Sequence, residues 1–141
     1  MTRRSLTLLA ISGLVLVLVV PLSAQTMRFK ANIPFEFVAG TRTLPAGDYV
    51  IDTTPAQSVV RVWNENTHDS FAILSNSVSE PFVSSNPEAK LIFHRYGNQY
   101  FLSQVWDGYN DVGRKIPMGN SERALSAMSR TPATLVLLAR R

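Results

Sequence analysis

Leu91-Ile92-Phe93-His94-Arg95-Tyr96-Gly97-Asn98-Gln99-Tyr100-Phe101-Leu102-Ser103-Gln104-Val105-Trp106 reads as a β-hairpin. Two runs rich in β-branched and aromatic residues flank Gly97-Asn98, and glycine in the leading position suits a type II′ turn, whose first central residue needs positive φ. Tyr96 opposite Gln99 then sets Arg95 against Tyr100, His94 against Phe101, Phe93 against Leu102 and Leu91 against Gln104. Directly opposed residues share a face, so Leu91, Phe93, Leu102 and Trp106 are expected to form one apolar patch. Ile92, Phe101 and Val105 take the other face with His94 and Lys90. Apolar side chains on both faces point to an inner strand pair rather than an edge.

Upstream, residues 29–38 alternate: Phe29, Ala31, Ile33, Phe35 and Phe37 point one way, Lys30, Asn32, Pro34 and Glu36 the other. Period two over this length predicts a half-buried strand. Pro34 lacks an N–H, so the strand lies at an edge or breaks there. Turn signals come at residues 39–43, at Pro45-Ala46-Gly47 and at residues 54–57. Between and beyond them, residues 48–53, 59–63 and 71–78 are expected strands, with polar connections at 64–69 and 80–88. Residues 107–113 are rich in turn formers and read as a loop. Asn120 or Ser121 can cap a short helix in which Glu122 suits the positive N-terminal end and Leu125 and Met128 share a side. Residues 133–139 read as a last strand. About seven strands, one late helix and no β-α-β alternation predict an all-β fold: a compact antiparallel sandwich or small barrel.

The 141-residue chain suits one domain. Arg3-Arg4, the apolar run from Leu6 to Val20 and Pro21-Leu22-Ser23-Ala24 have the layout of a secretory signal peptide, with cleavage expected after Ala24. The apolar run is short for a membrane span, which needs about 20 residues. Residues 25–141 are then expected to form a single β domain, exported to the periplasm or the exterior, with no further span. Losing Arg3 and Arg4 takes two of 14 basic side chains and none of 10 acidic ones, so the net charge falls from +4 to about +2. That scattered excess is not the clustered footprint of a nucleic-acid binder, and nucleic acid is excluded as a partner. The chain has no cysteine, which removes thiol nucleophiles and thiolate metal sites and leaves stability to the core.

Ala31-Asn32-Ile33-Pro34-Phe35-Glu36-Phe37, Leu44-Pro45-Ala46-Gly47-Asp48-Tyr49 and the hairpin from Leu91 to Trp106 together resemble an uncharacterised family of small exported bacterial proteins. The resemblance covers most of the chain after residue 24. It implies a small domain released behind a signal peptide, and it brings no catalytic residue, cofactor or ligand set to carry over. One departure is Pro117-Met118-Gly119-Asn120-Ser121-Glu122-Arg123, a stretch that tends to be more basic in the family.

Few residues invite chemistry. His94 and His68 are the only histidines; catalysis would require further groups converging on one of them, and the simpler reading is a half-buried sheet histidine and a solvated loop histidine. Arg95 and Tyr100, with Gln104 and Trp106 expected on the same face, are candidates for a ligand platform, since guanidinium and aromatic groups recognise carboxylates and sugars. Against that, the Arg95 stem can simply cover Tyr100. Asp107, Asn110 and Asp111 supply oxygen ligands, but Tyr109 occupies the third loop position and no Glu the twelfth, so the Ca²⁺-loop template fails. Residues 119–123 lack the closing glycine of a nucleophile elbow. The carboxylates Asp48 and Asp52 are better explained by surface solvation than by a glycosidase pair. No catalytic residue, metal ligand or cofactor is assigned.

Three functions remain, in this order: a non-enzymatic β module binding a protein or envelope partner or acting structurally; a carrier of small apolar ligands with a barrel cavity; and a small hydrolase using His94 with a carboxylate.

Overall fold

A computed structural model describes residues 26–54, 58–80, 88–109, 111–128 and 131–139. The expected leader lies outside them, as do Asn110 and parts of the connections at 54–57 and 80–88. The chain runs through β1 (Met27–Ile33), β2 (Phe37–Ala39), β3 (Arg42–Leu44), β4 (Gly47–Thr53), β5 (Val59–Asn64) and β6 (Ser70–Leu74). It continues through β7 (Asn76–Ser79), β8 (Lys90–Tyr96), β9 (Gln99–Trp106), β10 (Val112–Lys115), α1 (Asn120–Met128) and β11 (Ala133–Leu138).

Alternation governs β1: Phe29, Ala31 and Ile33 are buried while Arg28, Lys30 and Asn32 face solvent. β1 is the edge of a four-stranded antiparallel sheet of order β1-β4-β5-β6. At Pro34 the chain leaves that sheet, because proline cannot donate to the ladder. The run of residues 29–38 therefore breaks, and its second half, β2, belongs to the other sheet. That sheet is ordered β11-β8-β9-β10-β7, with β2 and β3 attached beside β9. Among the described residues the one parallel bridge is Val38 against Phe101. The strand expected over 71–78 divides the same way, at buried Ser75, into β6 of the first sheet and β7 of the second. Residues 112–115, placed partly in a loop by their turn-rich surroundings, form β10 between β9 and β7.

The two sheets pack face to face as an all-β sandwich. Among the described residues neither sheet closes into a barrel, and the interior is filled. Phe29, Ile33, Tyr49, Ile51, Val60 and Val62 from the first sheet meet Phe37, Leu91, Phe93, Leu102 and Val105 from the second. The Phe37 ring meets Tyr49 edge-on at 5.3 Å and Phe93 at 5.6 Å. Each large apolar side chain buried this way contributes about 1.5–3 kcal/mol before chain entropy is subtracted.

The hairpin forms β8 and β9 as expected from Tyr96/Gln99 to Phe93/Leu102, and Gly97 has φ 60° while Asn98 keeps negative φ, as a type II′ turn requires. Beyond Leu102 the register shifts. Ser103 is an extra residue, so Ile92 pairs with Gln104, Leu91 with Val105 and Lys90 with Trp106. A bulge reverses the faces of the residues beyond it. Val105, not Trp106, completes the core patch with Leu91, Phe93 and Leu102, and Trp106 turns to the opposite face. The Ser103 carbonyl accepts a 2.8 Å bond from the Ile116 N–H, so the bulge also positions the segment after β10.

Candidate functional site

The bulge divides the platform anticipated around Arg95. Arg95 and Tyr100 remain paired, the guanidinium carbon 5.5 Å from the ring centre. Phe35 stacks on the same ring at 4.0 Å, and Arg95 Nε donates to the Gly97 carbonyl at 2.7 Å. The ring and the guanidinium are thus engaged within the protein. Gln104 and Trp106 lie on the other face, where Trp106 Nε1 donates to Gln104 Oε1 at 3.0 Å and Lys90 Nζ sits 5.0 Å from the indole. Gly113 is pressed against that indole so closely that a Cβ there would stand 2.6 Å from it. The four residues do not converge.

His94 does find a carboxylate. α1 starts where the Gly119 carbonyl accepts the Arg123 N–H at 3.0 Å, which makes Gly119 the N-cap rather than Asn120 or Ser121. Glycine is tolerated there, and a Cβ would press on the Gly40 carbonyl oxygen at 3.0 Å. Glu122, in the first turn, points inward instead of toward solvent. It is buried and its Oε1 accepts from His94 Nδ1 at 2.8 Å. An oriented imidazole is half of a hydrolytic pair, but among the described residues no hydroxyl hydrogen-bonds to its other nitrogen. The contact fastens α1 to the sheet. On the same strand the Tyr96 hydroxyl is buried without a hydrogen-bond partner among the described residues. Met128, expected to pack beside Leu125, is exposed instead.

A second polar group ties the sheets together. Thr53 Oγ1 donates to Asp107 Oδ2 at 3.1 Å, and Asp107 Oδ1 accepts the Tyr109 N–H at 2.9 Å. Buried Arg114 donates to Ser77 Oγ and to the Thr54 carbonyl. Asp107 therefore serves the fold, and among the described residues no three His, Asp or Glu side chains gather as a metal site. His68 is exposed and adopts φ 61° in the turn that Asn64 Oδ1 organises by accepting the Asn66 and Thr67 N–H groups.

Among the described residues, one concavity is built from segments far apart in the sequence. A groove of about 410 Å³ lies between residues 39–42, residues 71–74 and residues 116–119, within the 300–1,000 Å³ or so of ligand clefts. Its walls are mostly apolar, from Phe71, Ile73, Leu74, Ile116 and Met118. Arg42 is its one charged side chain, held 5.6 Å over the Phe71 ring. Three separate sequence segments build it, and the contacts of Gly40 with Ile73 and Gly119 bring them together. No single motif announces it.

Comparison with protein-family models, with curated proteins and with solved structures finds no match. Among the described residues, no helix is long and apolar enough to cross a membrane.

Proposed function

We propose that this chain is an exported, non-enzymatic β-sandwich module of the cell envelope or exterior that binds a partner through the groove beside β6. The groove is the observation that carries the reading: an apolar concavity flanked by exposed Leu74 on the fold's surface. The leader pattern of residues 1–24 and the resemblance to small exported bacterial proteins support the export half. Carriage of small apolar ligands is the second reading. The filled interior speaks against a ligand inside the sandwich, so a carrier would use this same groove. A hydrolase built on His94 lacks a hydroxyl nucleophile bonded to the imidazole among the described residues.

Two measurements test the proposal. Mass spectrometry of the protein recovered from fractionated host cells should find it outside the cytoplasm and begun at Gln25; full-length protein confined to the cytoplasm defeats the export half. A photo-crosslinking residue placed at Leu74 or Met118 in living cells should form adducts that the same residue placed at Thr67, in the turn after β5, does not. Equal labelling at all three positions defeats the groove as the binding surface.

A further inference from the structure

Among the described residues five strands pair on one side only, β1, β3, β6, β7 and β11; β3 is only three residues long, and β6 differs from the rest. β1 is flanked by ion pairs, Arg28 with Asp52 at 2.7 Å and Lys30 with Glu65, which guard an edge against further pairing. β7 is short and polar, and β11, although apolar, contributes no residue to the groove. β6 pairs with β5 on one side, and among the described residues no strand pairs with the other.

All four consecutive residues 71–74 line the groove. Successive side chains of a strand point to opposite faces, so a concavity touched by four in a row lies along the hydrogen-bonding edge of the strand. The groove therefore presents alternate N–H and C=O groups of β6 together with apolar walls. Backbone pairing combined with side-chain pockets is how an extended peptide joins a sheet edge. Charge narrows the occupant. Arg42 is the one charged side chain in the lining, and it forms no ion pair among the described residues, whereas Arg28, Lys30 and Lys90 each hold a carboxylate. β6 carries no acidic residue between Ser70 and Leu74, so the same strand from a second copy brings no carboxylate to Arg42.

We infer that the groove takes an extended, apolar segment of another protein, added as a fifth strand beside β6 with a carboxylate at Arg42. This rests on the groove being the binding surface and names what it binds. Arginine suits the task because its fork of N–H donors matches a carboxylate.

The test uses protein purified after expression of the full chain, labelled for amide NMR. The probe is a six-residue capped peptide alternating valine and threonine and ending in glutamate, at millimolar concentration. The expected result is shifts confined to residues 39–42, 71–74 and 116–119, with amide exchange in 71–74 slowed about tenfold. Arg42→Gln should weaken binding about five- to tenfold, while leaving unchanged the affinity of a peptide ending in glutamine. A peptide N-methylated at alternate residues, unable to pair, should not bind. Shifts absent at 71–74, or retained with the N-methylated peptide, overturn strand addition. So does protection of 71–74 that rises with protein concentration alone, the sign of a second copy. Shifts there with laurate but not with any peptide also overturn it, yet leave the groove standing as a binding site for apolar anions.

Discussion

Glu122, in the first turn of a nine-residue helix, is bound 2.8 Å from His94 on strand β8. A helix this short has little stability of its own, and its exposed residues include Met128. The contact with His94 is what sets the helix against the sheet. Glu122→Ala should lower stability by about 1–3 kcal/mol, the cost of leaving the half-buried His94 without its hydrogen-bonding partner. A double-mutant cycle with His94→Ala, read by urea denaturation, should return a coupling of about 0.5–3 kcal/mol. Additive losses would show that the two side chains do not support one another.

Phe93 is fully buried, with Phe35 edge-on at 5.2 Å and Phe37 at 5.6 Å. Phe93→Ala removes a ring that nothing nearby can replace, and the expected loss is about 3–5 kcal/mol. Equilibrium unfolding checks it, and a midpoint equal to that of the parent would mean that the two sheets do not meet at this ring.

Gly113→Ala places a methyl group 2.6 Å from the Trp106 indole. The ring must shift, at a cost of about 1–3 kcal/mol, and with it goes its bond to Gln104. Emission of Trp106, isolated in a Trp63→Phe background, should move to longer wavelength as the indole gains water. An unchanged spectrum and melting point would place Gly113 away from the ring.

Burial holds the Tyr49 phenol above its ordinary pKa, an effect that its hydrogen bond with Asn64 partly offsets. The phenol itself donates to the Pro45 carbonyl at 2.7 Å. A folded-state pKa above the unfolded value means that the native state keeps a proton which the unfolded chain releases. The resulting stabilisation is complete below the unfolded pKa, about 10, and disappears as pH rises from there through the folded value. Stability should therefore fall more steeply above pH 10 in the parent than in Tyr49→Phe. Parallel pH profiles would show that Tyr49 ionises as readily in the fold as outside it.

The parts of this fold that are written locally could be read locally. Alternation at Phe29, Ala31 and Ile33, glycine at the Gly97 turn and the polar start of α1 each act over a few residues, and each led to the element observed. The bulge at Ser103 escaped because Ser103-Gln104-Val105-Trp106 contains no glycine or proline to mark it. What selects the shifted register is the demand of the core for Val105 beside Leu91 and the Ile116 bond to the Ser103 carbonyl. Those partners lie on other strands. The four residues of the candidate platform part at that point, since one inserted residue sends Gln104 and Trp106 to the far face. Glu122 and His94 stand 28 positions apart, and the groove joins residues near 40, 72 and 118. Such sites belong to the packing of the sheets, which no short window of sequence contains.

Ser75 is where the chain passes from the first sheet into the second, as it also does at Pro34. Tension applied to β6 by anything seated along it would run through the peptide bonds of Ser75 into β7 and then across the ladder between β7 and β10. The two layers are stitched by the polypeptide as well as glued by their side chains. Pulling on the groove would load the ladders of both sheets together, and peeling one layer from the other would first require those stitches to be drawn out.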